Sequence, residues 1–388
     1  MRLISSGVGT SKGPPMIRRI AIENWKSIRS LDIELGRLTV LVGPNGSGKS
    51  NFVDAIRLLR DALAHGLDRA ISDRQGIDSL RHWSPGGASD VTLAAHTISP
   101  AGRGQLSFTL SSSRGHFGIV REEGCWHGSG PDAPKLHYVR DARGKIELSS
   151  SDEDRVLRAE HDDELFLANG QTDTAALRGD LLSFEAYSIL PDVLRTPQPP
   201  KNELVLSASG ENLTSIFKML SRSRSHKQAR EEIISSLRLA MPSLEDIRVR
   251  SLGGLMMPMF RVSETDGRHD FNVSQISDGT LRLLGLLTAL YQPRGPDVLA
   301  LEEPEQTMHP AVLAVLADAI RDVSERRQIL VTTHSPHMVE HFRADEIRTV
   351  EIRDGETSVR PLSGDQQKAV REHLFTLGEL MAMEGLHS

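Results

Sequence analysis

Three short runs of consecutive apolar residues stand out in the chain, at 38–42, 298–301 and 329–331. Runs of this length are too short for helices, and their lack of alternation predicts strands buried on both faces. An amphipathic helix is predicted directly after the first run by apolar residues at helical spacing: Phe52, Ile56, Leu59 and Leu63. Pro310 is suited to the first turn of another helix, between the second and third runs. The pattern predicts an α/β fold in which buried strands are followed by helices.

The middle of the chain has a different pattern. Leu106, Phe108 and Leu110 alternate with polar residues between glycine-containing turn signals, so residues 86–148 are predicted to form an antiparallel sheet. Residues 149–180 are acidic and irregular, which predicts a loop with a short helix. Apolar stripes predict helices over 207–240, and a return to alternation predicts strands over 246–273.

These patterns predict four segments. Residues 1–15 have little apolar content and end in Pro-Pro, which predicts a disordered tail and makes Met16 an alternative start to Met1. The other three segments are an N-lobe with the antiparallel sheet at 16–150, a mainly helical insertion at 151–245 and a C-lobe at 246–388. Asp354-Gly355 is predicted to be the turn of a hairpin near the end of the C-lobe.

Composition excludes several classes of protein. The 388 residues contain one cysteine, Cys125, so a disulfide framework and a cysteine-rich zinc site are excluded, and the nearby His127 has no second ligand pair. No apolar run reaches the roughly eighteen residues of a membrane span, and no signal peptide is visible. The net charge of −6 argues against a polycation that coats nucleic acid. We therefore expect a cytoplasmic protein without a membrane partner.

The strongest chemical signal follows the first apolar run and matches G-x-x-x-x-G-K-[ST]. Its residues are Gly43, Pro44, Asn45, Gly46, Ser47, Gly48, Lys49 and Ser50. Glycines let successive N–H groups turn toward phosphate oxygens, and the following helix adds its positive N-terminal end. Lys49 is expected to reach the β- and γ-phosphates, and Ser50 to bind Mg²⁺. A purely structural turn would not require the Lys49-Ser50 pair.

The second apolar run ends in two adjacent carboxylates, Glu302 and Glu303. In a P-loop protein this position supplies the second metal-binding group and the residue that activates water. We expect Glu302 to hold Mg²⁺, through a water molecule, and Glu303 to orient or deprotonate the attacking water. The alternative, an exposed acidic strand end, is disfavoured by the P-loop.

Two weaker motifs complete the set. Ser277, Asp278 and Gly279 precede an apolar helix, an arrangement that also serves as an ordinary helix cap. His334 follows the third apolar run, where a histidine is either structural or close enough to hydrogen-bond a γ-phosphate. Their order relative to the P-loop and the carboxylates favours the phosphate-binding roles.

Together these blocks resemble the ABC-type ATPase head of the SMC, RecF and OLD-like group, and most of all its short bacterial AAA-family, RecF-like ATPases. The blocks are LRTPQ (194–198), SGENL (209–213), SDGTLRLLGLL (277–287), LEEPEQTMHP (301–310) and ILVTTHSP (329–336). The resemblance implies an α/β P-loop NTPase fold, an ABC-type head with an antiparallel β subdomain and a helical insertion. It implies ATP and Mg²⁺ as cofactors, and two ATP sites that are completed only in a head-to-tail homodimer.

The resemblance also implies residue roles. Ser277, Asp278 and Gly279 would form the signature loop that contacts the γ-phosphate held by a second protomer, and His334 would be the switch histidine. The signature reads ISDGT instead of LSGGQ. Asp278 therefore adds a negative charge near phosphate, so the loop is expected to bind less tightly or with the help of a cation. Glu302 replaces the more common aspartate, and no Q-loop glutamine is assigned.

Two classes of partner remain open. No heptad array lies between Lys49 and Ser277, and residues 337–388 are too few for a fused nuclease, so we expect neither a tethering coiled coil nor a nuclease domain. One hypothesis is an ATP-hydrolysing dimer that acts on DNA, in repair or phage defence. It depends on a basic cluster that also fits an ordinary solvated helix: Arg222, Arg224, Lys227 and Arg230. The other hypothesis is a nucleotide-gated regulator or scaffold of a separately encoded effector, such as a toxin or nuclease.

Overall fold

A computed structural model of the chain describes residues 13–387 except 83–88, 114–115, 131–132, 152, 170–173, 223 and 384–385. The tail predicted at 1–15 therefore lies, up to residue 12, outside the described residues. The helices are α1 (Lys49–His65), α2 (Leu67–Ser72), α3 (Ala175–Leu182), α4 (Pro191–Arg195), α5 (Leu213–Arg222), α6 (Lys227–Ala240), α7 (Asp278–Tyr291), α8 (Pro310–Ser324), α9 (Pro336–Val339), α10 (Gly364–Arg371) and α11 (Leu377–Met383).

The strands fall into three sheets. They are β1 (Met16–Trp25), β2 (Ile28–Glu34), β3 (Leu38–Val42), β4 (Val91–Ser99), β5 (Gly102–Ser113), β6 (His116–Gly128), β7 (Lys135–Asp141), β8 (Lys145–Ser150), β9 (Asp154–Arg158), β10 (Phe184–Tyr187), β11 (Leu244–Leu252), β12 (Leu255–Glu264), β13 (Gly267–Asn272), β14 (Val298–Glu302), β15 (Gln328–Thr333), β16 (Ile347–Arg353) and β17 (Glu356–Pro361).

The central sheet contains the three predicted buried strands, in the order β10-β14-β15-β3-β16-β17. Its first five strands are parallel, and β17 closes the edge as the predicted hairpin partner of β16. Val40 and Val42 belong to the hydrophobic core on one face, while Leu41 belongs to the core on the other. This two-sided burial is the reason residues 40–42, 298–301 and 329–331 of these strands are apolar without alternation.

The segment predicted as a mainly helical insertion, 151–245, contains more than helices. α3, α4, α5 and α6 lie in it, but β10 adds a parallel edge strand to the central sheet beside β14. β9, in the part predicted as loop and short helix, adds the last strand of the antiparallel sheet. Both strands are short, and four or five residues carry too little periodicity to be recognised.

The antiparallel sheet predicted within the N-lobe is confirmed, with the strand order β2-β1-β4-β5-β6-β7-β8-β9. Its apolar face shares one hydrophobic core with α1, α2, α3 and one face of the central sheet. The strands predicted over 246–273 are also confirmed, as the sheet β11-β12-β13, which packs with α5 to α8 in the second core. None of the helices in the described ranges is long and apolar enough to span a membrane.

Candidate active site

The carboxyl ends of β3, β14 and β15 bring the predicted motifs to one edge of the central sheet. Val42 is in register with Thr333, and Glu302 is in register with Thr332. The P-loop after β3, the carboxylates at the end of β14 and His334 after β15 are therefore neighbours. Ligands bind at this edge in open α/β sheets.

The glycines of the P-loop occupy conformations and spaces that side chains do not fit. Gly46 and Gly48 have φ of +78° and +100°. A Cβ at Gly43 would lie 2.1 Å from the carbonyl oxygen of Val350, and one at Gly48 would lie 2.2 Å from Thr357 Oγ1. Thr357 Oγ1 also donates a hydrogen bond to the Ser47 carbonyl, at 2.9 Å. The β16–β17 hairpin thus supports the loop from behind.

Lys49 is buried at the start of α1, and its Nζ donates to the carbonyl oxygens of Gly43 at 2.8 Å and Pro44 at 2.9 Å. Burial lowers the pKa of Lys49, and the carboxylates of Glu303 and Glu305 oppose that shift. The ammonium therefore lies beneath the loop, next to the carboxylates. Ser50 is exposed on the first turn of α1.

Glu302 forms an ion pair that the sequence did not indicate, with Arg57 of α1. Arg57 Nη2 lies 2.6 Å from Glu302 Oε1, and the Glu302 side chain is 16% exposed. Ser50 hydroxyl and Glu302 carboxylate oxygens are the kind of donors that Mg²⁺ prefers. A cation held by Glu302 would compete with Arg57 for this carboxylate. Arginine on an amphipathic helix ordinarily faces solvent, so spacing alone gave no signal of this pair.

Glu303 has a strained backbone, with φ of +42°. Its N–H donates to Thr332 O at 3.0 Å and Thr332 Oγ1 at 3.1 Å, and its carbonyl accepts from Arg282 Nη2 at 3.0 Å. The Glu303 carboxylate lies 3.5 Å from His334 Nδ1. Such strain persists where neighbours hold the backbone, as often happens at functional sites.

Glu305, which is outside the predicted catalytic and metal-binding set, is a further carboxylate of the site. It is buried, and its Oε1 accepts from Thr333 Oγ1 at 2.6 Å and from the His334 N–H at 3.3 Å. The sequence signal for this residue was its place as the third acid of the segment EEPE, residues 302–305. Glu305 fixes the strand end from which His334 projects.

Several buried polar atoms in this region have no hydrogen-bond partner among the described residues. They are Ser47 Oγ, Arg282 Nε, Glu305 Oε2 and His334 Nδ1. Buried polar groups are normally paired, and a ligand bound beside the P-loop would supply partners to these four atoms. The oxygens of a phosphate chain fit this donor-rich cradle, as does a metal ion at the carboxylates.

The predicted signature loop begins α7. Ser277 is the N-cap, and its Oγ accepts from Thr280 N at 3.2 Å. A Cβ at Gly279 would lie 2.7 Å from Thr307 O. Asp278, expected to add a negative charge near phosphate, forms an ion pair with Arg195 of the LRTPQ block. The sequence marked that block but gave its arginine no role.

The fold and the clustered motifs define a P-loop ATPase head of the SMC and OLD type. The chain belongs to the family described as "AAA domain, putative AbiEii toxin, Type IV TA system", which it matches over residues 38–100 and 139–340. The resemblance and fold class predicted from the sequence are thereby confirmed.

This chain matches only part of the length of its curated relatives. An OLD nuclease of Thermus scotoductus is 22% identical over 86% of this chain and 62% of its own length. A chromosome partition protein Smc of Desulfitobacterium hafniense is 31% identical over 28% of this chain and 8% of its own length. The chain thus spans less than two thirds of these curated relatives.

Solved SMC heads share the fold at low sequence identity. The Smc head domain with an extended coiled coil from Pyrococcus furiosus, bound to the C-terminal domain of ScpA, has a TM-score of 0.53 at 13% identity, covering 93% of this chain and 99% of that one. A Smc head bound to the C-winged helix domain of ScpA has a TM-score of 0.51 at 16% sequence identity. The match covers 91% of this chain and 99% of that one.

Proposed function

We propose that the chain binds ATP with Mg²⁺ and hydrolyses it within a head-to-tail homodimer. The observation that carries the proposal is the convergence of the P-loop, Glu302, Glu303 and His334 at the carboxyl ends of the parallel strands β3, β14 and β15. Family membership and the SMC-head fold support the same chemistry.

Each site residue has a role in this proposal. The P-loop N–H groups and Lys49 Nζ bind the phosphates, and Lys49 exchanges its present carbonyl partners for phosphate oxygens. Ser50 and Glu302 would hold Mg²⁺, which would neutralise charge that develops on the phosphates. Glu303 orients the attacking water toward the γ-phosphorus and accepts its proton. His334 donates to a γ-phosphate oxygen.

The second protomer supplies the signature loop. Ser277 is exposed at the N-terminus of α7, where its hydroxyl has a local partner, Thr280, and where the helix end attracts anions. Two such loops, each facing the P-loop of the other copy, give a two-fold dimer with two composite sites.

The Glu303→Gln variant tests this proposal. We expect hydrolysis to fall at least about 100-fold, because the amide cannot accept the proton of the attacking water. ATP binding should persist and the dimer should accumulate. The measurements are phosphate release and light scattering after size exclusion, with and without ATP and Mg²⁺.

The matched control is Glu325→Gln, which makes the same chemical change at an exposed position beyond α8. It should hydrolyse ATP at the wild-type rate. Wild-type turnover by Glu303→Gln would show that another group activates the water.

For the biological process, we propose DNA repair or phage defence, with DNA as the partner. The relatives include an OLD nuclease and Smc proteins, and the family description names a toxin–antitoxin system. Arg222, Arg224 and Lys227 of the basic cluster are exposed. Arg230 is ion-paired with Asp246 at the base of β11, so it contributes less to a DNA-binding surface.

The alternative is a nucleotide-gated regulator of a separately encoded effector. It is favoured by one observation: in both of the Smc head structures described above, the head is bound to a domain of ScpA. In this case dimer closure on ATP is the output. Tagged Glu303→Gln protein, which holds ATP, should then capture the product of a neighbouring gene, and the same protein without nucleotide should not.

A further inference from the structure

Arg195 makes a set of contacts to the signature loop that the sequence did not predict. It ends α4, and its guanidinium reaches the segment before α7. Nη1 donates to Val273 O at 2.7 Å, and Nη2 donates to Ile276 O at 2.8 Å. Nη2 also donates to the carboxylate of Asp278. One side chain thus binds groups on both sides of Ser277.

These contacts define the shape of the loop. A guanidinium is planar and its donors are rigidly spaced, so it fixes the positions of the carbonyls and the carboxylate relative to one another. Ser277 lies between the clamped residues with extended backbone angles, φ of −63° and ψ of 152°, as the N-cap of α7. Its hydroxyl and the first N–H groups of α7 consequently have a defined direction.

The contacts also account for the departure from the LSGGQ pattern. An aspartate in the loop would repel a phosphate group, but the cation of Arg195 lies against this carboxylate. Asp278 is about half exposed and Arg195 about one quarter exposed, so the pair lies at the surface where a second copy would dock. The pair carries no net charge toward an incoming phosphate.

We propose that Arg195 is a positioning residue that fixes Ser277 and Gly279 for the γ-phosphate held by a second copy of the chain, and that it neutralises Asp278. The inference rests on the proposed function, since it requires the composite site. Arg195 touches no phosphate itself; it acts through the loop that does.

Subunit mixing separates this role from a purely structural one. Arg195→Ala should retain ATP binding at its own P-loop within about twofold, because that site uses Lys49 of the same protomer. Its hydrolysis should fall at least tenfold, on the scale of a lost positioning contact. Lys49→Ala should neither bind nor hydrolyse ATP.

When equal amounts of the two variants are mixed, hydrolysis should return to about one quarter of the wild-type rate, because half of the dimers are mixed and each has one complete site. Ser277→Ala mixed with Lys49→Ala is the positive control and should recover equally. Adding Asp278→Asn to Arg195→Ala should restore part of the activity, since it removes the unpaired negative charge.

Three outcomes would count against the inference. Wild-type hydrolysis by Arg195→Ala overturns it. So does recovery in the Ser277→Ala mixture without recovery in the Arg195→Ala mixture, which would place the effect within the protomer's own fold. Should neither mixture recover, the composite dimer itself is wrong, and the role of Arg195 with it. If Arg195→Ala does not fold, as judged by circular dichroism, Arg195→Gln and Arg195→Lys undergo the same mixing test.

Discussion

Neighbouring carboxylates in the EEPE segment have three different environments. Glu302 pairs with Arg57, Glu303 faces His334 from a strained backbone, and Glu305 is buried against Thr333. β14 ends at Glu302 and the chain turns from Glu303 onward, so the three residues meet different partners. For this reason their chemistry depends on position in the fold and not on residue type alone.

A buried aspartate outside the site permits a test of stability against pH. Burial raises the pKa of Asp180 to about 6, from an ordinary value of 3.8, and the nearby charge of Asp297 acts in the same direction. Between these two pH values the folded protein keeps a proton that the unfolded chain has released. The free energy of unfolding therefore falls as pH rises through this window, and it stays lower above it.

Asp180→Asn should remove this loss of stability at higher pH, because asparagine carries no charge. We expect stabilisation by about 1–2 kcal/mol at pH 7.5, after allowance for partial solvation, and no difference from wild type near pH 4. Urea unfolding at both pH values measures it. Asp163→Asn, at an exposed position, is the control and should change neither value. Equal stability of Asp180→Asn and wild type at pH 7.5 would contradict the raised pKa.

At the scale of elements, the P-loop depends on the β16–β17 hairpin, which lies far from it in the chain. Gly43 packs against the carbonyl of Val350, and Gly48 packs against Thr357. Glycine is thus required in this motif for two reasons. It allows the backbone angles that bind phosphate, and it leaves space for the close approach of this hairpin.

Gly43→Ala should destabilise the protein by about 1–3 kcal/mol and weaken nucleotide binding, because the added methyl group meets a backbone atom that cannot easily move. Gly179→Ala is the matched control. It lies in the interior of α3 with open space around it, so it should be neutral or stabilise by up to about 1 kcal/mol. Thermal unfolding and a fluorescent ATP analogue measure both effects. Equal behaviour of the two variants would exclude the steric explanation.

At the scale of the whole molecule, the open question is whether the basic cluster recruits DNA. Arg222→Ala combined with Arg224→Ala should weaken DNA binding several-fold at low salt and reduce the slope of affinity against salt, because two phosphate contacts are lost. The control double variant, Lys368→Ala with Arg371→Ala at exposed positions of α10, removes the same charge and should leave DNA binding unaffected. Fluorescence anisotropy with a duplex over a salt series measures both.

The outcome distinguishes the two proposed processes. If both double variants lose the same amount of DNA affinity, the binding is a nonspecific attraction between DNA and positive charge. Absence of DNA binding by the wild type at low salt would exclude the DNA-acting proposal and favour the regulator of a separate effector.

The sequence by itself determined the buried strands β3, β14 and β15 and the motifs at their carboxyl ends. Uniformly apolar runs specify strands buried on both faces, and the P-loop pattern contains its own geometric requirement for glycine and lysine. These signals are local, so they can be read without knowing the neighbours. The paired acids at the end of β14 and the histidine after β15 follow apolar runs directly, and parallel strands place their carboxyl ends at one edge.

Only the tertiary structure decided which long-range partners these residues meet. Arg57 reaches Glu302, Arg195 reaches Asp278, and β10 joins β14 from within the segment predicted as helical. Each contact joins segments far apart in the chain, and no periodicity records such a pairing. Their formation depends on how helices and strands pack around two shared cores, which is a property of the whole fold.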